Sequence, residues 1–180
     1  MKRINFNKEF YKNIEVKKSN NGLGLFAKKD FKKNDIILEF IGKIISRHDF
    51  NKIKNKKIKK IIDDYSLQID EDLFILGTGK NKKIYDDFIN HSCDPNSYVY
   101  INGNKVVLIA LKNIKKGEEI TYDYSTTMYK DSWSIKCNCG SKICRNKIRE
   151  FRFLPKKIKL KYFKLGILPD YIIKRYFKKS

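Results

Sequence analysis

The sequence has no long apolar stretch. Its hydrophobic runs end after a few residues, so none of them can span a bilayer as a helix. The opening Met1-Lys2-Arg3-Ile4-Asn5-Phe6 lacks the apolar stretch of a secretory signal, and the expectation is an intracellular protein with no membrane contact. Histidine is nearly absent, with two residues, His48 and His91. No Ser-His-Asp or Cys-His set has workable spacing, which leaves nucleophilic hydrolysis without machinery. Arginine is scarce as well: of 41 basic residues only those at 3, 47, 145, 149, 152 and 175 are Arg. Lysine, which carries the rest, is poor at forked contacts to phosphate. The net charge of +21 therefore reads as general attraction to acidic surfaces, including a nucleic-acid-bound substrate. Sequence-specific nucleic-acid binding is not expected, because the surplus of Lys, Asn, Ile, Tyr and Phe is what an AT-rich genome would encode.

Cysteine is limited to four residues, Cys93, Cys137, Cys139 and Cys144. Three of them fall within eight residues. In an intracellular protein such clustering favours a metal over disulfides, and four thiolates are what a closed tetrahedral zinc site needs. No cysteine is left over.

What is present supports one domain. The chain has 180 residues, 41% of them hydrophobic, enough for a single real core. Residues 1–13 read as a loosely held polar arm. Ile14-Glu15-Val16-Lys17 alternates like a short strand, and Ser19–Gly24 is a turn with two glycines, Gly22 and Gly24. Ala27–Ile37 and Ala110–Ile120 echo each other at an offset of 83 residues. Each reads strand, apolar staple, turn, strand, with Asn34 and Gly117 where the turn wants a left-handed residue. Ile36–Phe40 is a buried strand by its β-branched content. Ser46, with Asp49 three residues on, opens a helical insert over about 46–63. Tyr65–Ile69 and Leu73–Leu76 are short strands. Asn102-Gly103 is a hairpin turn between Tyr98–Ile101 and Asn104–Leu108. Leu154-Pro155 and Pro169-Asp170 start two helices in a C-terminal tail, 151–180, that docks on the core or serves a partner.

Three stretches carry chemistry: Asn90-His91-Ser92-Cys93-Asp94-Pro95-Asn96, Ile120-Thr121-Tyr122-Asp123-Tyr124, and Cys137-Asn138-Cys139-Gly140-Ser141-Lys142-Ile143-Cys144. Together, in this order, they resemble the NHSCxPN motif, the DY motif and the post-SET cysteine cluster of the SET-domain protein lysine methyltransferases. The resemblance covers roughly residues 14–150. It implies an α+β, β-rich fold of several short sheets with a helical insert. It also implies the boundaries of a SET domain at 14–126 and a zinc-tied post-SET segment at 127–150. It implies transfer of a methyl group from S-adenosyl-L-methionine to a protein lysine, by an in-line displacement that needs a neutral amine, alignment and a dry channel.

The residue roles are likewise those the family implies. Tyr124 lies at the methyl-transfer site and orients the amine, with Tyr122 beside it. Gly22, Leu23 and Gly24 bind the methionine end of the cofactor, and Asn90 and His91 bind it chiefly at the adenine end, together with Tyr124. Phe40, Tyr65 and Tyr122 wall the substrate channel. Cys93 joins Cys137, Cys139 and Cys144 on structural zinc. Tyr122, where the family carries Phe or Tyr, argues for monomethylation. Phe40, where a Tyr is common, removes a channel hydroxyl and argues the other way. Asp87-Phe88 stands where many members carry Arg-Phe. The acceptor is a protein or peptide bearing a lysine, with histone-like, nucleic-acid-associated, ribosomal and host proteins all open. The enzyme is read as a monomer, in the cytoplasm or, from a eukaryotic source or in a host cell, at chromatin. The alternative is a non-enzymatic basic zinc module that binds chromatin or nucleic acid.

Overall fold

The computed structural model of the chain describes residues 8–76, 85–103, 105–129 and 133–178. A single helical turn, α1 (Lys8–Tyr11), leads into a hairpin of β1 (Ile14–Ser19) and β2 (Gly22–Ala27), paired from Ile14↔Ala27 to Ser19↔Gly22. The end of the expected loose arm is thus fixed: Phe10 and Tyr11 pack on the core, and Lys28 N–H donates to Asn13 O at 2.8 Å. Two apolar rings override the polar composition around them.

The two echoing segments lie against each other. Phe31 and Ile114 exchange backbone hydrogen bonds of 2.8 and 2.9 Å. Around that pair the contacts repeat under the same offset. Asn34 N–H donates to Ala110 O and Gly117 N–H to Ala27 O, both at 2.8 Å. Ala27 N–H donates to Glu118 O and Ala110 N–H to Asp35 O. The turn side chains follow the same symmetry. Asp35 accepts from Lys32 N–H and Glu118 from Lys115 N–H, while Asn113 caps Lys33 N–H and Asp30 caps Lys116 N–H. Asn34 and Gly117 have φ of 74° and 89°, the left-handed conformation that the turn requires. The repeat is therefore a local two-fold in which each turn closes the other.

The main sheet is β3 (Ile36–Glu39), β9 (Lys105–Ala110) and β8 (Ser97–Asn102), in the order β3-β9-β8. Asn102 pairs with Lys105, so Asn102 belongs to the strand and the turn falls one residue later than its Asn-Gly signal suggests. A second sheet holds β4 (Ile44–Ser46), β6 (Leu73–Ile75) and β5 (Leu67–Gln68). Leu25, Leu38, Val106, Leu108, Ile114 and Ile120, all fully buried, form the centre of the core these elements share.

The insert differs from its expected single helix. Ser46 ends β4 and caps α2 (Arg47–Asn51), accepting from Asp49 N–H. Asn55 then caps a separate helix, α3 (Lys56–Tyr65), through bonds from Lys57 and Ile58 N–H. A second strong N-cap in mid-segment restarts the helix. Tyr65 consequently ends a helix instead of starting a strand.

β7 (Asn90–His91) and β10 (Thr121–Tyr122) form a short parallel pair, and β11 (Ile135–Lys136) pairs with β12 (Lys147–Ile148) around the cysteine segment. The tail forms α4 (Lys156–Lys164) and α5 (Asp170–Tyr176). It docks: Phe151, Tyr162, Ile167, Tyr171 and Ile172 are buried in a second apolar cluster with Tyr129. Tyr171 hydroxyl reaches Thr127 O at 2.6 Å and Gln68 O at 3.1 Å, tying α5 to β5.

Candidate active site

The parallel pair β7–β10 puts the first two motifs side by side, Asn90 opposite Thr121 and His91 opposite Tyr122. Asn96 locks them. Its amide donates to Glu119 O and accepts from Thr121 N–H, at 2.8 and 2.9 Å, both bonds in a partly buried setting. This satisfied amide is the reason an Asp-Pro-Asn turn can sit within a buried segment.

Tyr122 and Tyr124 follow directly. Their rings lie 4.8 Å apart, and Tyr124 hydroxyl donates to Ile89 O at 2.6 Å. Burial raises the ionisation of both phenols well above the ordinary tyrosine value, so neither is a phenolate at neutral pH. Both face a cavity of about 170 Å³ that Phe40 and Tyr65 also line. The structure thus brings all the expected channel residues to one hollow. Leu67, Phe74, Ile75, Trp133 and Met128 add apolar wall. Asp86, which the sequence reading did not single out, lines it too.

On the other side of Asn90 is the glycine turn. Asn90 Nδ2 donates to Leu23 O at 3.1 Å and to Glu119 Oε1 at 2.6 Å, and Ser19 hydroxyl holds Glu119 Oε2 at 2.8 Å. A Cβ on Gly24 would collide with Glu119 and Asn90. Glycine is needed there because polar groups approach the bare backbone. The exposed turn residues Gly22 and Leu23, next to this amide and carboxylate, suit the zwitterionic end of S-adenosylmethionine.

His91 is buried, and its side chain is committed within the protein. Tyr124 N–H donates to Nδ1 at 3.2 Å, which leaves the proton on Nε2, facing Cys93 Sγ at 3.3 Å. Burial pushes His91 down to about 4, keeping the ring neutral. Its backbone, not its ring, is what remains for a cofactor.

The four cysteine sulfurs lie within 4.8 Å of one another, and Cys93 and Cys137 are 3.8 Å apart. A tetrahedral zinc with bonds of about 2.3 Å has sulfur–sulfur edges of about 3.8 Å. Backbone N–H groups of Arg145 and Asn146 point at Cys93 and Cys144, the pattern that steadies thiolates on a metal. Burial pushes the Cys93 thiol up to about 11. Burial acts the same way on Cys139, but backbone N–H groups and neighbouring thiols outweigh it and draw that thiol down to about 7. A dication offsets the cost of gathering four thiolates, so the set fits a zinc ion.

One buried carboxylate joins these parts. Asp123 accepts from Arg145 Nη2 at 2.8 Å and from Tyr162 hydroxyl at 2.9 Å, and its Oδ1 caps Ser125 N–H. Arg145 follows the last cysteine, and Tyr162 lies on α4. The DY motif, the zinc segment and the tail therefore share one anchor. Asp123 was legible only as a motif letter, and Arg145 only as one of few arginines. Nothing in the sequence pairs either with Tyr162.

The SET domain family profile matches residues 22–125. The chain is 41% identical over 128 residues to a Schizosaccharomyces pombe protein named histone-lysine N-methyltransferase, H3 lysine-4 specific, covering 68% of this chain and 14% of that protein. It is 35% identical over 151 residues to the variant-silencing SET domain-containing protein of Plasmodium falciparum, covering 78% of this chain and 6% of that one. Among solved structures, the crystal structure of KRYPTONITE in complex with mCHG DNA and SAH matches with a TM-score of 0.60 and 26% identity, over 76% of this chain and 29% of that chain. The chain thus spans a small part of these relatives' lengths. No helix among the described residues is long and apolar enough to cross a membrane. With its profile match over more than half of its length, the chain belongs to the SET domain family.

Proposed function

We propose that this protein transfers a methyl group from S-adenosyl-L-methionine to the side-chain amine of a protein lysine. The observation that carries the reading is the cavity where Phe40, Tyr65, Tyr122 and Tyr124 meet beside the Asn90–Gly24 cluster. A lysine side chain enters from the insert side, along apolar wall. Gly22, Leu23, Gly24, Asn90 and the His91 backbone hold the cofactor, which supplies the methyl group. Exclusion of water and low polarity favour the neutral amine. Tyr124, fixed by Ile89 O and by the His91 ring, orients it for in-line attack. Cys93, Cys137, Cys139 and Cys144 hold structural zinc and keep Trp133 and its neighbours over the channel. The neighbouring structure's bound SAH, and relatives named for histone H3 lysines, support the cofactor and a histone-type acceptor at chromatin.

The product is mainly monomethyl-lysine. Tyr122 hydroxyl, within reach of the Thr127 side chain, occupies the channel end where a second methyl would sit. The hydroxyl absent from Phe40 acts in the opposite sense, and each such bond is worth roughly 0.5–1.5 kcal/mol. Tyr122 takes precedence because its ring packs directly beside that of Tyr124, tilted at 45°. Calorimetry with S-adenosylmethionine, then labelling of a cell lysate with tritiated cofactor, tests the reading. Tyr124→Phe should bind cofactor normally and lose about a hundredfold in turnover. Near-normal turnover would remove Tyr124 from its role. Mass spectrometry should find monomethyl product from the unmodified enzyme, and di- and trimethyl product from Tyr122→Phe.

A further inference from the structure

The tail docks by one side and leaves the other without a task. Ile158 and Tyr162 turn the inner side of α4 into the second apolar cluster, with Tyr162 buried. Away from that side Lys156, Lys157, Lys161 and Lys164 are all exposed. Among the described residues none of these four lysines forms an ion pair. Several lysines elsewhere do: Lys17 with Glu15, Lys60 with Asp64, Lys112 with Asp94 and Lys115 with Asp30.

The acids, not the lysines, make the difference. Residues 151–180 hold ten Lys and Arg and a single acid, Asp170, whereas residues 1–150 hold 31 and 19. A base-composition bias enriches lysine throughout a chain, but it does not clear carboxylates from one segment. Lys157, Lys161 and Lys164 stand at i, i+4 and i+7, so they share one stripe about 10 Å long. Like charges at that spacing repel and weaken the helix. A polyanion lying along the stripe removes the repulsion.

The neighbouring side chains decide which polyanion fits. A single strand is held by stacking its bases on free aromatic faces. The exposed rings here are already engaged. The guanidinium groups of Arg149 and Arg152 lie over Phe153 at 3.5 and 4.6 Å, and Phe163 stacks on Phe177 at 4.3 Å. A bilayer needs a continuous apolar stripe, and Leu160 and Phe163, half-exposed on the outer side, are broken up by Lys156 and Lys164. What remains is charge on a docked helix, which suits the phosphates of a duplex without contacts to its bases. We propose that the α4 stripe of Lys157, Lys161 and Lys164 binds the phosphate backbone of double-stranded DNA, independently of its sequence. The choice of DNA rests on the reading of a histone-type acceptor at chromatin. The surface is separate from the active site, since none of the residues lining the cavity lies in the tail. Two opposite sides of one helix thus serve two purposes: Tyr162 holds the tail to Asp123, and the lysines hold the enzyme to DNA.

The test measures binding of the full chain to a fluorescent DNA duplex of mixed sequence, by anisotropy over a range of salt. Each phosphate contact contributes about 0.9 to the slope of log affinity against log salt. The triple variant Lys157→Gln, Lys161→Gln, Lys164→Gln should therefore lower that slope by about 3 and the affinity at low salt by about a hundredfold. Glutamine keeps the helix propensity of lysine, and the melting temperature checks that the fold is kept. If the triple variant melts earlier, each single substitution should still lower the slope by about 0.9. The same loss of charge in the insert, through Lys52→Gln, Lys54→Gln and Lys57→Gln, should cost less than about threefold, as a change in the general field does. Equal losses from the tail and insert variants would overturn the inference, as would no binding of the duplex by the unmodified chain at low salt. Tighter binding to an RNA duplex, to single-stranded DNA, to phosphatidylserine vesicles or to polyglutamate would overturn it as well. The measurement needs neither cofactor nor methyl transfer, so a failed methylation assay would overturn the methylation reading and leave this result standing.

Discussion

The sheet region and the cysteine-and-tail region are held together by opposite means. Between Ile14 and Tyr122, cohesion is repetitive: paired strands, a local two-fold of turns, and a core made mostly of branched aliphatic side chains. From residue 133 onward, strands are two residues long, and the cysteine cluster contributes little apolar burial of its own. Order in that region comes from four thiols and one buried carboxylate, with the tail adding a separate aromatic cluster. Many weak terms make a region tolerant of change, while a few strong ones make it switchable. A segment that closes over an active site belongs to the second kind.

The largest expected effect separates the two regions by metal. Chelation, or Cys93→Ser, should abolish hydrogen-exchange protection across 133–150 and lower activity by about tenfold or more, while the strands of the sheet region stay protected. Simultaneous loss in both regions would show a single cooperative unit and break the distinction. Elemental analysis should find one zinc per chain beforehand.

The next effect probes the anchor between them. Asp123→Ala leaves the Arg145 guanidinium buried without its partner and should cost about 3–5 kcal/mol in urea unfolding. Tyr162→Phe removes one bond to the same carboxylate and should cost about 1–3 kcal/mol. If Tyr162→Phe is neutral, the tail is held by its apolar cluster and the Tyr171 hydroxyl bonds, without help from Asp123.

The smallest effect lies inside the sheet region and tests its repetition. Gly117→Ala forces a Cβ into a left-handed turn and should cost about 1–2 kcal/mol. Asn34→Ala, at the symmetric position, should cost about 1 kcal/mol, because asparagine already bears part of that strain. Equal thermal shifts in the two variants would show that the turns are energetically as well as geometrically alike.

Much of the sheet region was legible because its signals are local. Alternation gave β1, the echo gave both turns with their left-handed residues, and Ser46 marked a helix start. The misplaced features were also local contests. Asn55 divided the insert, and Asn102 was drawn into its strand by the pairing with Lys105. The site was legible as three motifs, since residue type and order carry their chemistry. Asp86, Glu119, Arg145 and Tyr162 were not, because each acts through a partner between 22 and 45 residues away, as in Arg145–Asp123 and Ile41–Asp86.

By itself, then, the sequence determined which groups this protein has: four thiols for a metal, two tyrosines in a fixed motif, a glycine turn, and a tail with apolar faces. Residue chemistry and short-range backbone preference suffice for that. The tertiary structure alone decided which of those groups share a space. It seated His91 on a cysteine instead of leaving its ring free, and made Asp123 the joint of three segments. Such outcomes depend on packing between distant segments, where burial sets the strength of every charge and hydrogen bond, and no local pattern encodes burial of that kind.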